Sequence, residues 1–228
     1  MIVVVNYLTG DHYTLREQAR DLWCALAATG NADTTIPAIT ILDEMMRRGL
    51  LAEVPTARPW TPSPVGVSAP SWGTVERAAC LPQLPPTSRK WRLLGTFALL
   101  TTLTAREAGR PGTRFARVLA LLRFATRHGR PASSEQALSA LYGVRHAARF
   151  FPARIACLEE SVAAMLTLTL AGYRASWCHG VAADPLRLHA WIEAEGKRVG
   201  EPASTELFTP IMRIPPGRDD AARSRNDC

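Results

Sequence analysis

Residues 157–193 read CLEESVAAMLTLTLAGYRASWCHGVAADPLRLHAWIE, and this segment decides the fold of the larger part of the chain. Its first half includes the apolar run 163–171 and fits a buried helix, which Gly172 ends at a position suited to left-handed backbone. After Gly172 the pattern changes to that of β-strands. We expect a helix at about Cys157–Ala171 and strands at Tyr173–Val181, Leu188–Glu193 and Lys197–Gly200.

Three further helices are expected before this segment, at Trp91–Glu107, Thr113–His128 and Ser134–Ala148. Gly129 and Pro131 end the second helix, and Ser133 is a suitable N-cap for the third. A helix that begins with a cysteine, followed by an antiparallel sheet carrying a histidine, predicts an α+β fold in the style of papain and the transglutaminases. This domain would cover residues 89–214.

Residues 1–54 predict a small separate domain. Ile2–Asn6 is rich in β-branched residues, and after a turn at Gly10 the stretch His12–Leu15 can return as a second strand. Apolar spacing then predicts an amphipathic helix at Glu17–Ala28, and a second helix ends at Gly49. A hairpin followed by helices is a winged-helix-like arrangement.

Two segments are expected to lack a packed core. Eight prolines between Pro55 and Pro86 remove amide donors and break helices, which predicts an extended linker over residues 55–88. The polar tail, residues 215–228, is expected to be flexible.

The composition indicates an ordinary globular protein, with 47% apolar and 21% charged residues among 228. No apolar run reaches the roughly 18–20 residues that span a bilayer, so no membrane insertion is expected. The first residues include no basic n-region and no small-residue cleavage site, so no secretion signal is expected, and five scattered cysteines include no CxxC pair. We expect a cytoplasmic protein with reduced thiols.

Positive charge is concentrated in residues 89–130, which contain ten Lys and Arg but one acid, Glu107, against a net charge of +7 for the whole chain. Such a stretch can be a solvated helix surface or can bind an anionic ligand or an acidic peptide. No nucleic-acid-binding motif accompanies it, so no nucleic-acid partner is expected.

Cys157 and His189 are the candidate catalytic pair. A thiol at a helix N-terminus meets unpaired N–H groups and the positive end of the helix dipole, which favours the thiolate. Either residue alone is more often structural, so the hypothesis depends on the pair.

Strand geometry predicts Glu201 as the third member. Glu193 shares a face with His189 but lies about 13 Å along the strand, and Asp184 precedes a proline in a turn, where it more often caps backbone. A three-residue loop at 194–196 would place Glu201 across from His189, with Cβ atoms about 5 Å apart. The expected pairs are Glu193 with Lys197, Trp191 with Val199, and His189 with Glu201.

General chemistry then gives each residue a role. The Cys157 thiolate would attack a scissile carbonyl, and His189 would protonate the leaving amine. Glu201 would fix the imidazole tautomer and stabilise its charge. Backbone amides at the start of the Cys157 helix are the expected oxyanion donors.

The segments CLEES at 157–161, GYRASW at 172–177, GV at 180–181 and PLRLHAWIE at 185–193 resemble the B protein of lasso peptide biosynthesis, a transglutaminase-like leader peptidase. The resemblance covers about residues 91–210. It implies that Cys157 is the nucleophile, His189 the base and Glu201 the third member, at a position where the family often has Asp.

Residues 1–54 are similar to the PqqD-like precursor-recognition element, through VVVN at 3–6, GDHYTL at 10–15 and RGLL at 48–51. The similarity implies that the leader peptide binds as an added strand beside the hairpin, against the last helix. The implied leader-binding residues are Tyr13, Leu15, Leu42, Met45 and Met46.

The two resemblances together imply a cysteine peptidase that binds the leader of a lasso peptide precursor and cuts it off. A separate ATP-dependent, asparagine-synthetase-like cyclase would then join the new core amine to an acidic side chain. The chain has no Gly-rich phosphate loop, and we expect no cofactor or metal.

Two other functions remain open. A transglutaminase-like acyltransferase would use the same triad with an amine in place of water. A metal-binding or scaffold protein could use Cys178, His179 and His189, although adjacent strand residues point to opposite faces and ligate together poorly.

Overall fold

The computed structural model describes residues 2–31, 36–54, 84–127, 129–152, 155–183 and 186–217. They form two compact units: one holds the elements up to residue 54, and the other holds those from residue 89 onward, with residues 111–115 grouped in the first. Most of the predicted linker and tail lies outside the described residues. No helix within the described ranges is long and apolar enough to cross a membrane.

The first unit begins with the predicted hairpin. Strands β1 (Ile2–Val5) and β2 (His12–Leu15) are antiparallel, with Ile2 paired to Leu15. Helices α1 (Glu17–Thr29) and α2 (Ile36–Arg47) follow. Their order is the predicted one, and the winged-helix likeness stays a prediction.

A small apolar core holds the first unit together. Leu15 from β2, Trp23 from α1 and Met45 from α2 are buried at its centre. Burial of such side chains contributes roughly 1.5–3 kcal/mol each, so the hairpin and both helices depend on this cluster. Partly buried side chains around it are Ile2, Val4, Ala19, Ile41, Leu50 and Leu51.

The second unit contains four helices close to the predicted positions: α3 (Arg89–Glu107), α4 (Arg114–Arg127), α5 (Ser134–Ala148) and α6 (Cys157–Leu170). The predicted cap of α5 is confirmed, because Ser133 Oγ accepts from the Gln136 amide at 3.2 Å and Gln136 Oε1 accepts from the Ser133 amide at 3.0 Å. Reciprocal caps of this kind fix where a helix begins.

Helix α6 is the central element of the second unit. Every residue from 161 to 168 is buried, as expected for a helix that is apolar on all sides. It packs against α3, α5 and the sheet strand that carries His189. The position of Cys157 is therefore set by the core of the unit.

The predicted first strand is divided in two. Residues 173–174 form β4 (Tyr173–Arg174), which pairs in parallel with β3 (Arg130–Pro131). After Ala175 the chain enters the main antiparallel sheet, whose strand order is β7-β6-β5-β8. Its strands are β5 (Ser176–Ala183), β6 (Leu186–Ala194), β7 (Lys197–Arg198) and β8 (Thr209–Ile214).

Candidate active site

Cys157 is the first residue of α6, as predicted, and follows Ala156, whose extended backbone forms the N-cap. Glu159 Oε2 accepts a hydrogen bond from the Ala156 amide at 3.1 Å, which fixes the chain as it enters the helix. The Cys157 thiol is free and half-buried. The helix start provides amides that can stabilise an anion on sulfur or on an attacked carbonyl.

His189 lies on β6, across from Gly180 on β5. Its Nε2 is 2.7 Å from Glu201 Oε2, and its ring also hydrogen-bonds the Cys157 side chain. Because Nε2 faces Glu201, Nδ1 is the ring nitrogen available to Cys157. The imidazole thus lies between the thiol and the carboxylate.

Gly180 allows two groups to approach the sheet beside His189. A Cβ at this position would lie 2.7 Å from Trp191 Cη2 and 2.8 Å from the Thr209 carbonyl oxygen. The Trp191 ring lies beside the imidazole, 6.0 Å away between centroids and 19° from parallel. Phe208 contacts it at 5.2 Å. These two rings limit the movement of His189.

The predicted hairpin register before Glu201 is wrong. The loop has two residues, Glu195 and Gly196, with φ of 52° and 74°, and Glu193 pairs with Arg198 where Lys197 was expected. A two-residue turn with both φ values positive matches the twist of antiparallel strands and is the favoured short connection.

Glu201 reaches His189 by leaving the strand. The Val199 amide still bonds the Ile192 carbonyl at 3.1 Å, so a continued strand would carry Glu201 to the opposite face. Gly200, with φ of 64°, turns the chain instead. The expected contact is present, although the route to it differs.

Thr205 is a member of the site that the sequence analysis missed. It lies in a 3₁₀ turn at Ala203–Leu207 and is 2% exposed. Its Oγ1 donates to Glu201 Oε2 at 2.9 Å, and its carbonyl accepts from Arg198. The available signal was a hydroxyl four residues after Glu201 and three after Pro202, the N-cap of this 3₁₀ turn.

The charges in the site support one another. Burial alone would lower the pKa of His189, but hydrogen bonds and charges from Cys157 and Glu201 outweigh it and raise that pKa to about 9. Burial acts to raise the pKa of Glu201, whereas His189, Thr205 and the charge of Arg145 together lower it. A charged imidazolium is thus favoured at neutral pH.

Two arginines hold the first turn of α6, and the sequence analysis missed both. Arg106 from α3 bonds Glu159 Oε1 at 2.6 Å. Arg145 from α5 bonds Glu160 Oε1 through Nε at 3.0 Å and Nη2 at 2.8 Å. Both acids in the first turn of the Cys157 helix therefore have an arginine partner. The paired residues lie on different helices, so no periodic spacing in the sequence predicts these ion pairs.

Glu193, rejected as the orienting acid, has other partners. Its Oε1 accepts from Trp191 Nε1 at 3.0 Å, and Arg213 pairs with its other oxygen. Burial and Glu193 raise the pKa of the Cys178 thiol to about 12. Cys178 is therefore protonated and packed at neutral pH.

His179 stacks on Trp177 with ring centroids 5.9 Å apart. It follows Cys178 on β5, and adjacent strand residues point to opposite faces. Among the described residues, no three or more His, Cys, Asp or Glu side chains are grouped to hold a metal ion.

The five predicted leader-binding residues differ in exposure. Leu15 and Met45 are 7% and 3% exposed and belong to the core of the first unit, so little of either side chain is accessible to a peptide, and their role in leader binding stays a prediction. Met46 is 42% exposed, and Tyr13 and Leu42 are half-buried.

Comparison with known protein families identifies the superfamily of the second unit. A model of the transglutaminase-like superfamily matches residues 98–213, just over half of the chain. The matched range includes Cys157, His189 and Glu201. Neither a search of curated proteins nor a search of solved structures found a match.

Proposed function

Because the chain belongs to the transglutaminase-like superfamily, we propose that Cys157, His189 and Glu201 form the catalytic triad of a cysteine peptidase. The observation that carries the proposal is one imidazole that lies 2.7 Å from a buried carboxylate and also interacts with the thiol at a helix start. A nucleophile, a base and an orienting acid that contact one another in this order form the recurring arrangement for acyl transfer.

In the first step the Cys157 thiolate attacks the carbonyl carbon of the scissile amide. The oxyanion that forms is stabilised by backbone amides at the start of α6. The His189 imidazolium gives its proton to the amide nitrogen as the C–N bond breaks. A thioester on Cys157 remains, and the amine fragment leaves.

In the second step neutral His189 takes a proton from water as the water oxygen attacks the thioester carbon. The C–S bond then breaks, which releases a carboxylic acid and restores the thiolate. Glu201 holds the imidazole in position through both steps and stabilises its positive charge.

The proposed substrate is the leader region of a ribosomally made lasso peptide precursor. The support is the resemblance of residues 157–193 to leader peptidases and of residues 1–54 to a precursor-recognition element. The β1–β2 hairpin is a two-stranded sheet, and a sheet edge can accept an extended peptide as an added strand. Tyr13, Leu42 and Met46 are the proposed contacts.

Cleavage would free the α-amine of the core peptide. The proposed consumer of that amine is an ATP-dependent, asparagine-synthetase-like cyclase acting as a partner, which joins it to an Asp or Glu side chain. Mass analysis of a precursor incubated with the protein tests the proposal: separate leader and core fragments are expected, and an intact precursor would contradict it.

A transglutaminase-like acyltransferase is the second candidate, because the family match applies equally to transfer onto an amine. The same thioester would then be attacked by an amine. Fragment masses measured with and without an added primary amine separate the two functions, since the leader fragment formed by transfer is heavier than the hydrolysed one by the mass of the amine less that of water.

A further inference from the structure

Arg145 connects the two parts of the chain that hold the nucleophile and the orienting acid. Two of its guanidinium nitrogens, Nε and Nη2, bond Glu160 in the first turn of α6. The third, Nη1, bonds the Gly200 carbonyl oxygen at 3.2 Å, and Gly200 directly precedes Glu201. One side chain on α5 therefore contacts both the helix of Cys157 and the turn of Glu201.

The turn at Gly200 packs directly on α5. A Cβ on Gly200 would lie 2.5 Å from Leu141 Cδ2 and 3.2 Å from Leu138 Cδ1, and its φ of 64° is one that other residues rarely adopt. Leu141 and Arg145, one turn apart on α5, thus support the turn from the same helix.

We propose that Arg145 is a positioning residue that sets Glu201, and through it His189, relative to Cys157. The inference rests on the proposed triad. A planar guanidinium suits this role because its donors point in fixed directions toward two acceptors, whereas a lysine ammonium concentrates its donors at one point. The Arg145 charge also helps to keep the buried Glu201 ionised.

Arg106 supplies a matched control. It pairs with Glu159, the neighbour of Glu160 in the same turn, and with Glu107 on its own helix. Arg106→Gln and Arg145→Gln each remove one ion pair from the first turn of α6, but only Arg145→Gln removes the bond to Gly200. Glu160→Gln removes the ion-pair charge and leaves the Gly200 bond in place.

Two measurements test the proposal on the full chain. The first is the NMR titration of His189, assigned through His189→Gln, which needs no substrate. The titratable groups that act on this ring are Cys157, Glu201 and His179, and none of the variants in the comparison changes them. The second is the kcat and KM of precursor cleavage.

Arg145→Gln is expected to lower kcat roughly 10- to 100-fold with a smaller change in KM, because small misplacements have effects of this size. It should also move the His189 midpoint down from about 9. Arg106→Gln should leave that midpoint in place, and Arg145→Lys should fall between wild type and Arg145→Gln.

The proposal is overturned if the His189 midpoint is the same in wild type, Arg145→Gln and Arg106→Gln, because Arg145 would then be structural only. If Arg145→Gln does not fold, Arg145→Lys is titrated instead, with Glu160→Gln as the control that keeps the Gly200 bond, and a His189 midpoint in Arg145→Lys unchanged from wild type would overturn the proposal. A wild-type protein that cleaves no precursor while Arg145→Gln shifts His189 would contradict the peptidase proposal alone.

Discussion

Thr205 donates its hydroxyl hydrogen to Oε2 of Glu201 at 2.9 Å, the same oxygen that lies 2.7 Å from His189 Nε2. This one carboxylate oxygen therefore has two hydrogen-bonding partners, and the Glu201 side chain is only 8% exposed. A buried carboxylate needs such partners to stay ionised.

Thr205→Val removes this hydroxyl and keeps the shape of the side chain. We expect kcat for precursor cleavage to fall roughly 10- to 100-fold, because a hydrogen bond to a charged group is worth about 1.5–3 kcal/mol. Thr205→Ser keeps the donor and should retain most of the activity. Equal losses in both variants would mean that packing at this position matters and the hydroxyl does not.

Glu201→Gln should remove the negative charge that stabilises the His189 imidazolium. Because Glu201 helps to raise the pKa of His189 to about 9, the alkaline limb of kcat/KM should move to lower pH, and kcat should fall by roughly 100-fold or more. Glu193→Gln is the control, since a glutamine oxygen can still accept from Trp191. An alkaline limb that shifts equally in both variants would contradict the role of Glu201.

His179 should make the protein sensitive to acid. Burial and the charge of His189 lower its pKa from 6.5 to about 4, so the unfolded chain binds more protons than the folded one between these values. The free energy of unfolding is then highest above pH 6.5 and falls by up to about 3 kcal/mol as the pH drops to 4. Urea unfolding of His179→Gln should show a flatter dependence over this window than wild type.

His189 affects stability with the opposite sign. Its folded-state pKa is raised to about 9. The contribution of His189 to the free energy of unfolding is therefore fully present below pH 6.5 and is lost as the pH rises through 9. Unfolding measured from pH 7 to 10 should show this loss in wild type and a smaller one in His189→Gln. A loss of the same size in both would assign it to other groups.

Gly180→Ala should destabilise the second unit by about 1–3 kcal/mol, because its Cβ would lie within 3 Å of Trp191 and of the Thr209 carbonyl. Gly112→Ala is a matched control, since a Cβ there meets no atom within 4 Å. Urea unfolding compares the two, and similar stabilities would show that the sheet moves easily around Gly180.

The sequence predicted best where a local signal sets the structure. The Ser133 cap and the glycine after α6 fixed helix ends to within two residues. Strand β8 was missed because its second residue is Pro210, which removes a ladder donor and normally argues against a strand. The proline is accommodated opposite Gly180, where the β5–β8 register shifts.

The site was predicted only in part, for a related reason. Cys157 at a helix start and His189 on a strand follow from periodicity alone. The early end of β7 depends on how Gly200 packs against Leu141 of α5, and the bonds of Arg145 span 15 and 55 residues. Such long-range contacts leave no periodic pattern in a single sequence.

The measurement that tests the central claim most directly compares wild type and Cys157→Ala on one precursor peptide. Wild type should convert the precursor into leader and core fragments, detected by mass. Cys157→Ala should yield neither fragment, yet should bind a fluorescent leader peptide as tightly as wild type in an anisotropy titration, because the proposed contacts lie in the first unit. Cleavage by Cys157→Ala at the wild-type rate would contradict a cysteine peptidase.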